Sequence, residues 1–267
     1  MKSYRVLKDG KFKLSRFDPD DTSEFKGGKE EALVETGQLR ARLERLQELL
    51  YAQKKHKLLI VLQAMDAGGK DGTVRVVFDG VNPTGVRVVS FGEPTEHELA
   101  RDYLWRIHRH VPAKGEIAIF NRSHYEDVVA VRVKRLVPKK VWRRRYRHIR
   151  EFERMLTDEG ATLLKFFLHI SKDEQRQRLQ ERLDDPRKRW KFRRGDLEDR
   201  ARWDDYQAAY EDAIGETSTG YAPWHVIPAN RNWYRNWAVS KIIVDTLEGL
   251  DMKYPEPEEG LTGLKVE

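Results

Sequence analysis

The chain has 267 residues, of which 39% are hydrophobic and 36% charged, with a mean hydropathy of −0.76. No run approaches the ~18 apolar residues of a membrane span, no apolar leader follows Met1, and cysteine is absent, which sets aside membrane spans, secretory signals and thiolate chemistry and leaves a cytoplasmic address as the expectation. Lys and Arg number 51 against 44 Asp and Glu, a net +7 that calls for a polyanionic partner or else marks an inert basic surface.

Residues 1 to about 30 read as an extension, punctuated by Asp18-Pro19-Asp20-Asp21 and Gly27-Gly28. Leu39, Leu43, Leu46 and Leu50 then recur at helical spacing and predict an amphipathic helix over 29–53. The apolar run 58–62 has the composition of a strand buried on both faces. A polar, Gly-bearing segment over 64–70 follows, then a helical stretch over 74–78. Residues 86–91 predict a second strand. Leu99, Tyr103, Ile107 and Val111 predict one helix ending before Pro112. Residues 116–120 give a third strand, and Tyr146, Ile149, Phe152 and Leu156 stripe a helix that Gly160 closes. Residues 163–170 give a fourth strand, and Ser171 with Glu174 has the form of a helix N-cap and its capping-box acid. Composition turns strongly polar over 173–214, where two helical halves are expected to flank 185–195. Residues 224–228 predict a fifth strand, and Trp233, Trp237, Val244 and Leu247 stripe the last helix. The tail beyond Pro255 is expected to fray.

Strands alternating with helices imply βαβ units and a parallel sheet covered on both faces. The expected organisation is a single α/β domain over 1–267, with 1–56 as an N-terminal extension and helix and 173–214 as an inserted helical lid.

The segment after the first strand is the most informative. A phosphate cradle needs backbone N–H groups that can close around oxygens and a helix N-terminus just beyond. It also needs a lysine that reaches the outer phosphates. Gly68, Gly69 and Lys70 stand in that context. The strict loop pattern puts Gly where Ala64 stands and Ser or Thr where Asp71 stands, so the match is partial. Asp71 or Thr73 is then the candidate to replace the missing hydroxyl. The expected phosphate-binding residues are Ala67, Gly68, Gly69, Lys70, Asp71, Gly72 and Thr73. Asp66 lies inside the loop, where substrate oxygens and a metal would sit; a plain turn aspartate is the alternative.

The third strand runs into Phe120-Asn121-Arg122-Ser123-His124-Tyr125-Glu126-Asp127. Ligands of parallel α/β sheets sit at the carboxyl ends of strands, so this cluster and the glycine-rich turn are expected to face one crevice. Phosphoryl transfer needs metal ligands and cations that neutralise phosphate oxygens. Asp66, Glu126 and Asp127 can supply the first, and Lys70 and Arg122 the second. For His124 a hydrogen-bonded structural role outweighs that of ligand or base, and no spacing resembles a zinc site.

Two basic segments remain. Arg143, Arg147 and Arg150 share one face of a helix, as a solvated surface or as a track for a long polyanion. Residues 187–194 mix cations with Trp190 and Phe192 before Gly195. A mobile flap of that kind closes over phosphates and excludes water, although the same interleaving suits single-stranded nucleic acid.

Together these pieces resemble the polyphosphate kinase 2 family. The resemblance rests on Ala64-Met65-Asp66-Ala67-Gly68-Gly69-Lys70-Asp71-Gly72, on 120–127 and on Lys188-Arg189-Trp190-Lys191-Phe192-Arg193, with 78–83 and 230–235 adding to it. It covers about 30–250 and is greatest with the group that phosphorylates both AMP and ADP. It implies a P-loop kinase fold similar to thymidylate kinases, a three-layer α/β/α sandwich on a five-stranded parallel sheet with a helical lid. It also implies transfer of a terminal phosphoryl group between inorganic polyphosphate and a nucleotide (AMP, ADP or ATP), and a homo-oligomer, dimer or tetramer. The implied cofactor is Mg2+, with Mn2+ as the alternative. Asp66 and Lys70 then belong to the phosphate loop, Asn121 and Arg122 to the second motif, and Lys188, Arg189, Lys191 and Arg193 to the lid. Many members carry Asp where Asn121 stands, and a neutral amide is the poorer metal ligand.

The expected catalytic residues are Asp66, Lys70, Arg122 and Asp127, with Asp66 and Asp127 on the metal. Asn121, Arg122, Ser123, His124, Tyr125, Glu126 and Asp127 are expected to bind nucleotide, Glu126 tuning the choice between mono- and diphosphate. Two other classes share these features: an ATP-dependent nucleoside monophosphate kinase, and a basic nucleic-acid-binding protein with a vestigial phosphate loop.

Overall fold

The computed structural model describes residues 3–6, 12–261 and 264–266. Among them, five parallel strands form one sheet: β1 (Lys57–Ala64), β2 (Val86–Ser90), β3 (Ile117–Asn121), β4 (Ala161–His169) and β5 (Trp224–Pro228). Their order across the sheet is β2-β3-β1-β4-β5. The central strands are continuous apolar runs because helices cover both faces. Residues 58–62, 117–120 and 166–168 are at most 1% exposed.

The helices are α1 (Lys29–Gln53), α2 (Lys70–Val77), α3 (Glu96–Leu99), α4 (Trp105–His108), α5 (Ala130–Val133), α6 (Lys139–Asp158), α7 (Lys172–Asp184), α8 (Arg194–Ala201), α9 (Trp203–Thr217) and α10 (Asn232–Glu248). The leucine stripe of α1 buries Leu39, Leu43 and Leu50. α1 and α2 pack with α10 into one covering layer, and α5, α6 and α9 pack together into the other. The result is the expected three-layer α/β arrangement. Among the described residues no helix is long and apolar enough to cross a membrane.

Three local expectations need correction. The stripe of Leu99, Tyr103, Ile107 and Val111 does not form one helix; the single turns α3 and α4 take its place. The Asp102 carboxylate accepts from the Leu104 N–H at 3.0 Å and starts a new turn. Leu99 is left exposed while Ile107 enters the core. The polar stretch 173–214 holds three helices, α7, α8 and α9, with a 3-10 turn Arg189–Lys191 at its tip. Ser171 caps α7 by accepting from the Glu174 N–H at 3.1 Å, but the Glu174 carboxylate takes Arg178 at 2.7 Å and leaves the capping box open.

The extension is packed where it is described. Tyr4, Val6 and Leu14 are buried. The Val6 N–H donates to Trp224 O at 2.8 Å and the Val226 N–H to Tyr4 O at 2.9 Å, so the segment lines the outer edge of β5. The expected extension and tail fall partly on residues 1–2, 7–11, 262–263 and 267, which lie outside the described residues.

One buried ion pair crosses the core. Lys165 on β4 and Glu153 on α6 are both fully buried, with Nζ 2.6 Å from Oε2. Lys165 also donates to the Tyr125 hydroxyl at 3.0 Å and to Thr217 O at 2.9 Å. Tyr125 donates to Glu153 Oε1 at 2.7 Å, and His124 Nε2 lies 3.3 Å from the same oxygen. Breaking a buried pair leaves a charge without a partner, at about 3–5 kcal/mol. Lys165→Met should lower stability by about that amount in denaturant titrations, and adding Glu153→Leu should recover at least half of the loss. An equal or larger loss in the double variant would show that the pair is not the coupled unit.

Candidate active site

Parallel pairing of β1 with β3 sets Leu62 beside Asn121, and the Arg122 N–H donates to Leu62 O at 3.1 Å. The loops that leave these two strands therefore open at one end of the sheet, at the crevice where such folds bind ligands. The first loop runs from Met65 to Gly69 and enters α2 at Lys70. It needs left-handed backbone at Ala67 (φ 60°) and Gly69 (φ 95°). A Cβ on Gly68 would lie 2.5 Å from that of Ala64, and one on Gly69 would overlap Arg235 Nη1. Arg122 is also left-handed, at φ 63°. L-residues hold that conformation at a cost of roughly 1–2 kcal/mol, so each of the two loops carries a strained residue at the crevice.

The charged side chains converge there. Arg122 Nη2 donates to Asp66 Oδ1 at 3.3 Å. Asn121 Nδ2 donates to Asp71 Oδ1 at 2.5 Å. Lys70 Nζ donates back to Ala64 O at 3.2 Å. Burial, with Arg122 next, pulls the Lys70 pKa down, while Asp66, Glu126 and Asp71 oppose the shift. Burial pushes the Glu126 carboxyl up against the pull of Arg122 and Lys70. The Gln63 amide nitrogen donates to Glu126 Oε1 at 3.1 Å, and its oxygen accepts from the Ser123 N–H at 3.2 Å.

These groups fit a hard divalent cation. Asp66, Asp71 and Glu126 offer carboxylate oxygens around one crevice, and the partly desolvated Glu126 lacks full compensation. Among the described residues no three acidic or imidazole groups stand together as a ready metal cage.

The structure divides the expected nucleotide-binding run. Asn121, Arg122 and Glu126 face the crevice charges. Ser123, His124 and Tyr125 are at most 1% exposed; Ser123 bonds Gln63 and the Tyr125 N–H, while His124 and Tyr125 sit on the Glu153–Lys165 pair. Burial pulls the His124 pKa down against Glu153. Asp127 turns aside: its carboxylate takes Arg145 Nη1 at 3.3 Å, and burial raises its pKa to about 6. Thr73 is buried and its hydroxyl donates to Gly69 O at 3.1 Å, inside its own helix turn.

The lid cations stand apart. Lys188 pairs with Asp185 at 3.6 Å, Arg189 donates to Leu183 O, Lys191 lies over the Trp190 ring, and the Arg193 N–H donates to Asp196. In the basic track, Arg147 pairs with Glu151 and Arg150 with Glu216, which favours the solvated-face reading. Other residues of the 173–214 segment reach the glycine-rich loop instead. Gln175 donates to Asp66 O at 3.0 Å and Arg178 to Ala67 O at 3.1 Å. Tyr210 on α9 donates to Ala64 O at 3.2 Å. Sequence reasoning missed these three, together with Gln63 and Arg235. Two of the five carried a local signal: Gln63 is a lone amide in an apolar strand, and Arg235 closes the 230–235 segment that adds to the resemblance.

Comparison with known proteins agrees with this geometry. A family model described as Polyphosphate kinase 2 (PPK2) matches residues 26–255. The chain is 73% identical, over all of both chains, to an AMP/ADP-polyphosphate phosphotransferase of Meiothermus ruber. It is 48% identical to an ADP-polyphosphate phosphotransferase of Rhodopseudomonas palustris, over 80% of this chain and 78% of that one. Its fold superposes on the crystal structure of polyphosphate kinase 2 from Arthrobacter aurescens with a TM-score of 0.94 and 44% identity, covering 98% and 93% of the two chains. With the family model spanning 26–255 and nearly the whole fold in common, the chain belongs to the polyphosphate kinase 2 family.

Proposed function

We propose that the chain moves the terminal phosphoryl group of inorganic polyphosphate to AMP and ADP, reversibly and with Mg2+ or, in its place, Mn2+. The observation that carries this reading is the full-length 73% identity to an AMP/ADP-polyphosphate phosphotransferase. A homo-oligomer, dimer or tetramer, in the cytoplasm belongs to the same reading, on the family resemblance alone.

An anionic phosphate oxygen of AMP or ADP attacks the terminal phosphorus of polyphosphate. The bond from that phosphorus to its bridging oxygen breaks, and the shortened chain leaves with the electron pair. The attacking oxygen carries no proton, so no strong general base is required. Lys70 and the amides of 67–73 hold the donor's outer phosphates. Arg122 meets the charge that spreads over the transferring group. Lys188, Arg189, Lys191 and Arg193 join it when the lid closes and excludes water. Asp66 would hold the metal with Glu126, in the place expected for Asp127, and the ion would supply positive charge to phosphate oxygens.

A donor swap tests the reading. AMP and ADP are followed separately with long-chain polyphosphate or ATP as donor. ADP and ATP formed with polyphosphate alone support the assignment; product from AMP with ATP alone makes the protein a nucleoside monophosphate kinase.

Asp66→Asn and Lys70→Ala should each lower the rate by about 100-fold or more with little change in melting temperature. Full activity in both would remove the site. Glu126→Asn should alter the ratio of AMP to ADP rates, and equal proportional losses would sink a role in nucleotide choice. Asp127 gives a prediction in pH. Its folded pKa, about 6, is raised above the usual 3.8, so its contribution to stability is present below pH 4 and is lost as pH rises through 6. Asp127→Asn should therefore match the wild type near pH 4 and exceed it by about 1–3 kcal/mol at pH 7.5. A pH-independent difference in chemical denaturation would contradict this.

A further inference from the structure

Arg235, in the first turn of α10, is 3% exposed. Its guanidinium is wedged against the phosphate loop: a Cβ on Gly69 would overlap Nη1, and one on Gly72 would lie 3.5 Å from Nη2. Its hydrogen bonds go to neutral amides of its own helix. Nη1 donates to Asn232 Oδ1 at 2.7 Å, and Nε and Nη2 donate to Asn236 Oδ1 at 3.1 and 2.8 Å. Among the described residues no carboxylate forms an ion pair with it. The charge that acts on it most is another cation, Arg178, and burial together with Arg178 pushes its pKa down to about 9. Arg178 itself is compensated by Glu174 at 2.7 Å and by Ala67 O, Ala229 O and Asn230 O.

An uncompensated buried charge is strongly unfavourable. Here it stands beside the N-terminus of α2, whose dipole is also positive. Two arginines and a helix end therefore repel one another across a loop of two glycines. An anion held in that loop offsets all three.

We propose that Arg235 is a positioning residue: a fixed charge behind the phosphate loop that sets the loop's affinity for the donor's phosphates without touching them. This rests on the phosphate-loop assignment above. Burial keeps the guanidinium from the crevice, and its field acts through a medium of low polarity. For the same reason dissolved salt screens it little, unlike the exposed lid cations.

The test is calorimetric titration of inorganic tripolyphosphate, without nucleotide, onto the wild type, Arg235→Met, Arg235→Gln, Arg235→Lys and Lys70→Ala. Met and Gln should weaken binding roughly tenfold, an effect of about 1.4 kcal/mol, by the same factor at low and high salt. Lys should restore most of it. In turnover, KM for polyphosphate should rise in the neutral variants while kcat changes little. Unchanged binding in Met and Gln, a loss that disappears at high salt, or no rescue by Lys would overturn the proposal. Failure of both neutral variants to fold would make Arg235 a structural cation and overturn it as well. If Lys70→Ala also binds as the wild type does, the phosphate-loop assignment itself fails; if Lys70→Ala alone loses binding, only the role of Arg235 does.

Discussion

The site depends on β1 and β3 lying side by side in parallel. Their register brings Leu62 opposite Asn121, and both loops then leave the sheet at the same end. Far apart in the chain, Asp66 and Arg122 meet at 3.3 Å and Asn121 and Asp71 at 2.5 Å. The left-handed turns at Ala67 and Arg122 bend the two loops over the space between them. Neither loop would form a charged crevice if β2 stood between the strands, and the crossover that sends β2 to the sheet edge prevents it.

Charge balance inside the crevice accounts for an amide at position 121. Asp66, Asp71 and Glu126 stand against Lys70 and Arg122. An aspartate at 121 would turn a second carboxylate toward Asp71, and like charges at hydrogen-bond distance repel. Asn121 donates to Asp71 instead. The amide thus orders an acid of the phosphate loop, a role open to it without any contact to metal. Beneath the same turn, Glu153, Lys165, His124 and Tyr125 form a sealed network. It fixes the backbone that carries Glu126 while taking no place in the crevice.

Much of this was legible in the residues. The central strands announce themselves because burial on both faces demands apolar runs, as in 58–62. The turn from β1 into α2 was readable from Gly68, Gly69 and Lys70 in a strand-to-helix setting. The false helix over 99–111 shows the limit of periodicity: Asp102 offers its own side chain to the backbone and restarts the chain direction. Strand order leaves no trace in local composition. Arg178 looks like an ordinary polar helix residue, because what distinguishes it is a loop more than a hundred positions away. Asp127 and Glu126 are neighbours in an acidic pair, and only packing reveals that one faces Arg145 and the other the crevice.

The antiparallel pairing of Tyr4–Val6 with the outer strand bears on how the molecule is made. The Ser218 hydroxyl donates to Val6 O across 212 positions, and Val226 reaches back to Tyr4. During synthesis the opening residues leave the ribosome long before the strand that receives them. They wait, unpaired, until residues 224–226 emerge. Contacts of such long range close late, because the chain entropy between them is surrendered first. The β5 edge is therefore covered by a segment made more than two hundred positions earlier, and until the two meet that edge is open to strands of other chains.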